Sequence, residues 1–190
     1  MTHRKLRITE MRRLSVEQFR ASEKLPLDVI LDDVRSRFNV GSIFRTADAF
    51  RVHALHLCGI TATPPHPEIH KTALGAEDSV RWERHASALD AVRLLQQQGY
   101  TVLALEQATD STLLPQPLPS AGPLALVLGN EVRGVAQAVI DQCDGCVEIP
   151  QLGTKHSLNV ACAAAIAIWE AARPRLAIQT SPISSHPCGI

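Results

Sequence analysis

The chain has 190 residues, 45% hydrophobic and 20% charged, an ordinary globular composition that excludes wholesale disorder and needs no disulfide staples to bury a core. Nineteen basic residues balance nineteen acidic ones, which excludes a uniformly basic coat for nucleic acid but leaves room for a local basic patch. Aromatic residues make up only 4%, too few for a single-strand binder built on stacked aromatic platforms.

Residues 1–24 alternate basic and apolar side chains and predict one or two short helices, read either as a solvated face or as an arm that touches phosphate. Val29–Val34 predicts a strand, and Asn39–Phe50 a loop passing into a helix, with Asn39 and Ser42 as candidate caps. Ala54–Cys58 is a second strand, and the three prolines in Thr61–Pro67 demand a loop. His70–Asp78 predicts a short helix, Val80–Arg84 a strand, and Ser87–Gln98 an amphipathic helix capped by Ser87 and stopped by Gly99. Thr101–Leu105 and Leu124–Leu128 are apolar runs of the buried-strand type, separated by a proline-rich loop over 109–123. Val135–Cys143 then predicts a helix, Cys146–Ile149 a strand, and Ser157–Arg173 a long alanine-rich helix. Residues after Pro174 read as a loose tail. Strands alternate with helices, and several strands are continuously apolar, so the expected fold is α/β with a mostly parallel sheet flanked by helices.

The first 24 residues lack the apolar core of a signal peptide, and the longest strongly apolar stretch, Val160–Trp169, is ten residues and too short for a bilayer. A cytoplasmic protein with no membrane association is expected. The five cysteines form an odd set, which argues against a disulfide framework. Cys143 and Cys146 have CxxC spacing, but no second pair accompanies them, so the plain reading is a turn with Cys146 opening a strand.

In open α/β sheets, ligands sit beyond the carboxyl ends of the strands. Three such ends carry unusual polar loops: Asn39–Arg45, Gly129–Gly134 and Gln151–Asn159. Gly129-Asn-Glu-Val-Arg-Gly134 is not a dinucleotide fingerprint, because Glu131 stands where GxGxxG needs glycine, and no phosphate-loop lysine follows. Glu131 is read either as a site carboxylate or as a cap of the following helix. Ser157 and Asn159 fall at the start of the last helix, where free amides favour polar ligands. Arg45 lies among small and apolar residues and needs a partner: a phosphate, or Asp48, Asp32 or Asp33.

Taken in order, Asn39-Val-Gly-Ser-Ile-Phe-Arg-Thr-Ala-Asp-Ala-Phe50, Leu126-Val-Leu-Gly-Asn-Glu-Val-Arg-Gly134 and Ile149-Pro-Gln-Leu-Gly-Thr-Lys-His-Ser-Leu-Asn-Val-Ala-Cys-Ala-Ala-Ala-Ile166 resemble the three motifs of the SpoU (TrmH-type) RNA 2'-O-ribose methyltransferases of the SPOUT class. The resemblance runs from about Val29 to Trp169. It implies a C-terminal trefoil knot that binds S-adenosylmethionine, an architecture that sequence periodicity alone never suggests. It also implies a homodimer with an active site shared across the interface, acting on tRNA or rRNA. Residues 1–24 become an N-terminal arm, 25–174 the methyltransferase domain and 175–190 the tail. Carried over by position, the catalytic set is Asn39, Arg45, Glu131, Ser157 and Asn159, and the cofactor contacts are Leu105, Leu128, Gly129, Ile149, Pro150 and Leu158. Arg51 and Gln151 depart from the common pattern, the second at the cofactor rim. The chain shows no extra N-terminal RNA-binding domain, which favours a compact RNA such as tRNA. RNA contacts then fall to the arm from Arg4 to Arg13 and to Arg35, Arg37, Lys71 and Arg133.

Methyl transfer from a sulfonium to a hydroxyl is an in-line displacement that calls for alignment and help with the 2'-hydroxyl proton. A guanidinium stays protonated in proteins, so Arg45 is expected to hold an RNA phosphate or stabilise the developing alkoxide, with no metal involved. The alternatives are a SPOUT enzyme that methylates a base nitrogen and a catalytically silent RNA-binding dimer. A dehydrogenase or kinase-like enzyme lacks its glycine fingerprints.

Overall fold

The computed structural model describes residues 3–11, 13–119 and 121–179. Arg12, Cys188 and the end of the expected tail lie outside the described residues. After a 3-10 turn at Ile8–Glu10, the elements are α1 (Val16–Ala21), β1 (Leu25–Asp32), α2 (Arg37–Ala49), β2 (Val52–Cys58), α3 (Pro67–Ala73), α4 (Ala76–Ser79), β3 (Arg81–His85), α5 (Ala88–Gln97), β4 (Thr101–Leu105), β5 (Thr112–Leu113), β6 (Leu124–Leu128), α6 (Gln137–Ile140), β7 (Gly145–Glu148) and α7 (Val160–Gln179). The seven strands form one sheet in the order β3-β2-β1-β6-β4-β7-β5. Every paired neighbour is parallel, as the apolar strands predict.

Alternate residues of each strand feed two cores. On one face Val29, Leu31, Leu126 and Leu128 pack with Ile43 and Phe44 of α2, Ile69 of α3 and Ile168 of α7. On the other, Ile30, Ala125 and Val127 pack with Val92 and Leu95 of α5 and Val139 of α6. The alanines at 164, 167, 171 and 172 are buried, so the small side chains of α7 bring its backbone close to its neighbours.

Several boundaries move. Leu74 and Gly75 both adopt positive φ, and they split the single helix expected over His70–Asp78 into α3 and α4. The expected helix over Val135–Cys143 shrinks to Gln137–Ile140, because Ala136 is extended (ψ 138) and acts as the cap. A two-residue strand, β5, forms inside the proline-rich loop by pairing with β7. The last helix begins at Val160 rather than Ser157 and runs through Pro174 to Gln179, so residues 175–179 of the expected loose tail are helical. Pro174 removes one donor and crowds the carbonyl of residue 170, a cost set against the packing of the buried alanines before it. No helix among the described residues is long and apolar enough to cross a membrane.

Candidate active site

The loop after β6 is a tight hairpin. Asn130 and Gly134 exchange main-chain hydrogen bonds, Asn130 N to Gly134 O at 3.0 Å and Gly134 N to Asn130 O at 2.8 Å. The buried Asn130 side chain fills the turn: its Oδ1 accepts from Val132 N (3.0 Å) and Arg133 N (3.2 Å), and its Nδ2 donates to Asp33 O (2.8 Å). A Cβ on Gly129 would stand 2.1 Å from the Gly134 carbonyl carbon and from Val135 N, so only glycine lets the loop fold back this closely. Gly134 itself has φ +67, and a Cβ there would lie 2.1 Å from Glu106 Oε2. That same oxygen accepts from Val135 N at 2.9 Å.

The hairpin aims Glu131 at the start of α2. Its carboxylate accepts from Arg35 N and Ser36 N, each at 2.9 Å, and from Asn39 Nδ2 at 2.9 Å. Asn39 Oδ1 in turn accepts from Asn159 Nδ2 at 3.1 Å. Asn159 Oδ1 meanwhile accepts from the Ala161 and Cys162 amides at the start of α7. One chain of hydrogen bonds therefore ties all three motif loops together. Burial works against the charge on Glu131, but the Arg35 and Ser36 amides and Asn39 more than offset it, so its carboxyl sits below its ordinary range.

Three expected caps are corrected by this geometry. Glu131 does not cap the helix that follows it but holds the amides just before α2, and Asn39 and Ser42 lie inside that helix; the amide of Ala136, which opens α6, is instead taken by Asp32 Oδ2 at 3.1 Å. Burial, with Asp33 nearby, holds the Asp32 carboxyl above its ordinary range despite that amide. The cap of α2 is Ser36, whose Oγ accepts from Asn39 N, while the Ser42 hydroxyl only returns to Phe38 O within the helix.

Below the tie lies a cleft of about 330 Å³ at the carboxyl ends of β4, β6 and β7. Its walls include Leu105, Leu128, Gly129, Ile149 and Leu158, five of the six expected cofactor contacts, together with Glu131 and Ser157. Pro150 is exposed and does not line it, whereas Gln151 does. The volume is at the lower end for a small-molecule pocket. Apolar strand ends suit a flat base. Three lining carboxylates, Glu106, Glu131 and Glu148, outnumber the single arginine, Arg133. That balance fits a cationic sulfonium with an ammonium group and disfavours a phosphate-bearing nucleotide. The residues present therefore fit S-adenosylmethionine. Leu152 to Asn159 are all exposed, and Gln107 Nε2 pins the segment through His156 O at 3.1 Å.

Arg45 is elsewhere. It is exposed, and among the described residues it has no ion pair, so of the two partners considered, an aspartate and a phosphate, the aspartate is not the one it takes within this chain. Asp48 is used differently, accepting from Ser79 Oγ at 2.6 Å. Arg45 lies on α2 in a shallow basin with Ser42, Thr46, Lys71 and Thr72, bounded by Phe50 and by Ala165 of α7. No residue lines both this basin and the cleft. Within one chain, then, Asn39, Glu131 and Asn159 meet, Ser157 lines the cleft with Glu131, and Arg45 lies apart from both. Of the expected RNA-contacting residues, Arg4 pairs with Glu10 (2.8 Å), Arg37 with Glu68 (3.3 Å), and Arg133 stands 3.9 Å from Asp33.

Sequence reasoning passed over Ser36, Asn130 and Glu106. Glu106 directly follows the apolar run of β4, so a polar residue at a fourth strand end was the available signal. Ser36 and Asn130 act through local main-chain geometry that a single sequence shows only as common turn residues. The cysteine pair is as plain as expected: both thiols are free, and burial, with Cys146 adjacent, pushes Cys143 up to about 12, so neither is a poised nucleophile.

A parallel α/β sheet with a carboxylate-lined cleft at the carboxyl ends of its strands is the arrangement of a small-molecule-binding α/β protein. The model of the SpoU rRNA Methylase family matches residues 26–169, most of the chain, and the chain belongs to that family. It is 33% identical over 168 residues to a tRNA (guanosine(18)-2'-O)-methyltransferase of Thermus thermophilus, covering 88% of this chain and 85% of that protein. It is 34% identical over 155 residues to the 23S rRNA (guanosine-2'-O-)-methyltransferase RlmB of Photorhabdus laumondii, 82% of this chain but only 63% of that enzyme. Among solved structures, the SpoU methyltransferase AviRb from Streptomyces viridochromogenes in complex with AdoMet matches with TM-score 0.71 and 29% identity, over 83% of this chain and 64% of that one.

Proposed function

We propose that the protein transfers a methyl group from S-adenosylmethionine to a ribose 2'-hydroxyl of tRNA or rRNA. The observation that carries this reading is the Glu131–Asn39–Asn159 tie, which joins the three motif loops beside a cleft that the second and third of them line and whose charge suits a sulfonium. Bound S-adenosylmethionine supplies an activated methyl group. Leu105, Leu128, Ile149 and Leu158 would hold it through apolar contacts, and the lining carboxylates would favour its positive sulfonium. Glu131, Asn39 and Asn159 keep the loops in register without reorganising during the reaction. Ser157 lines the cleft and is exposed, so its hydroxyl would be open to an incoming ribose. Arg45 and Lys71 form a basin for RNA phosphates, and Arg45 offsets the charge that develops as the 2'-hydroxyl loses its proton.

The proposed protein is a homodimer, because a basin and a cleft that share no lining within one chain become one site when two chains pair. Exposed Phe38, Val132, Ile166 and Trp169 supply apolar surface for such pairing. The same reading includes a C-terminal trefoil knot. In its favour, β7 lies beyond β4 while α7 packs on α2, β1 and β6. The chain between must therefore return across the strand ends, beside the hairpin after β6.

The test uses alkaline hydrolysis of RNA incubated with the protein and methyl-labelled S-adenosylmethionine. Alkali cleaves RNA through a free 2'-hydroxyl, so ribose methylation leaves the label in an alkali-resistant dinucleotide. Label released in mononucleotides would instead indicate base methylation, and no label transferred to any tRNA or rRNA would defeat the reading.

A further inference from the structure

A second polar cluster lies on the sheet face covered by α5, at the edge formed by β3. Parallel register pairs Ile30 with His56, His56 with Glu83, and Cys58 with His85. His56, Glu83 and His85 therefore point to one side of the sheet, the side of the core that holds Ile30 and Cys58. Behind them is Asp28, 1% exposed, a carboxylate that the proposed methyl transfer does not use. Its Oδ2 is 2.8 Å from His56 Nε2 and its Oδ1 is 2.8 Å from His53 Nδ1.

The Asp28 contact fixes the tautomer of His56. Nε2 carries the proton towards the carboxylate, and Nδ1 presents its lone pair on the other side. That lone pair faces His85 Nε2 at 2.9 Å, and His85 Nε2 is 4.0 Å from Glu83 Oε2. All three ligand atoms lie within 4.8 Å of one another. A carboxylate behind a histidine whose other nitrogen faces a second histidine and a glutamate is the arrangement that orients zinc ligands.

We propose that His56 Nδ1, His85 Nε2 and the Glu83 carboxylate bind one divalent ion of the zinc class per chain, with Asp28 as the outer carboxylate. Metal–nitrogen bonds of about 2.0–2.1 Å at a tetrahedral angle separate two ligand nitrogens by about 3.3 Å. The present 2.9 Å needs only a slight opening of the rings. Glu83 is partly exposed on the edge strand; its Oε1 pairs with Arg81, and its Oε2 is the oxygen that would close the gap to the ion. Two imidazoles and one carboxylate leave a fourth position for water. The ion would fasten β3 to β2 directly and to β1 through Asp28, at a sheet edge that otherwise ends in main-chain groups without a strand partner. In the sheet order, β3 stands three strands from β6, so this site is separate from the cleft and does not depend on the methyltransferase reading.

The experiment is a titration of untagged, chelator-stripped full-length protein with cobalt(II) as probe, followed by zinc competition. The expected result is saturation at one cobalt per chain, with visible bands of a four- or five-coordinate nitrogen and oxygen site that zinc abolishes. His85→Ala and Glu83→Gln each weaken binding by at least about tenfold, Asp28→Asn weakens it by about tenfold, and Cys143→Ser with Cys146→Ser leaves it unchanged. Glu83→Gln changes a partly exposed side chain, so its result stands even if another variant misfolds. The proposal is overturned by the absence of saturable binding, by wild-type affinity in both His85→Ala and Glu83→Gln, or by thiolate charge-transfer bands that vanish with the cysteines.

Discussion

Arg45 is exposed and without an ion pair among the described residues, while Glu131 is held by three donors, and the two residues predict opposite failures. Arg45→Ala removes charge stabilisation but no packing. Turnover should fall by about 10²–10³ while S-adenosylmethionine affinity stays within about twofold, measured by steady-state kinetics beside calorimetric binding. Glu131→Gln keeps one acceptor oxygen but removes the charge and turns an amide donor towards a main-chain amide that Glu131 now satisfies. It should cost about 1–2 kcal/mol of stability near neutral pH. The pH dependence has a definite sign. The Glu131 carboxyl is depressed on folding from its ordinary 4.5, so its stabilising charge is fully present above that value and lost as the pH falls through the lower folded value. Thermal unfolding of wild type and Glu131→Gln should therefore show a constant gap down to about pH 5 that narrows below it; a gap that widens in acid would refute the assignment. Glu131, Asn39 and Asn159 were legible as motif residues. Their mutual bonds were not, because the partners are 92 and 120 residues apart and nothing local encodes such a pairing. For Arg45, the chemistry was legible and the burial was not, since an arginine among small residues reads as enclosed until the helix face it occupies is known.

Elements were most readable where burial on both sides makes an apolar run. The bounds Thr101–Leu105 and Leu124–Leu128 emerge unchanged as β4 and β6. They were least readable where a long-range hydrogen bond competes with helix propensity. Val135 and Ala136 have reasonable helical character, yet their amides are held by Glu106 and Asp32 from two other strand ends, and α6 starts only at Gln137. The strand β5 exists only because β7 is beside it, which no local pattern records. The hairpin after β6 yields a prediction at this scale. Gly134→Ala would carry positive φ and press on Glu106, so unfolding by urea should show a loss of about 1–3 kcal/mol, with weaker S-adenosylmethionine binding from the same preparation. Unchanged stability and binding would mean that the hairpin does not shape the cleft.

At the scale of the molecule, alternation of strands and helices was enough to predict a parallel sheet with helices on both faces. The strand order β3-β2-β1-β6-β4-β7-β5 was not accessible, because β6 inserts between β1 and β4 through contacts that lie far apart in the chain. That insertion places the hairpin of β6 between the ends of β1 and β4, where Glu131 reaches α2 and Glu106 reaches Val135. It also leaves Arg45 and Lys71 in a basin that shares no lining residue with the cleft. The central claim is that one methyl-transfer site combines the cleft of one protomer with the basin of its partner. The direct measurement is methyl transfer by a purified heterodimer of Arg45→Ala and Gly129→Val chains, each carrying a different tag. Both parent homodimers are expected to be inactive. If the site is shared, one of the two sites in the heterodimer pairs an intact basin with an intact cleft, and activity returns to about half that of the wild-type dimer. A heterodimer as inactive as its parents, or two chains that never associate, would contradict the claim.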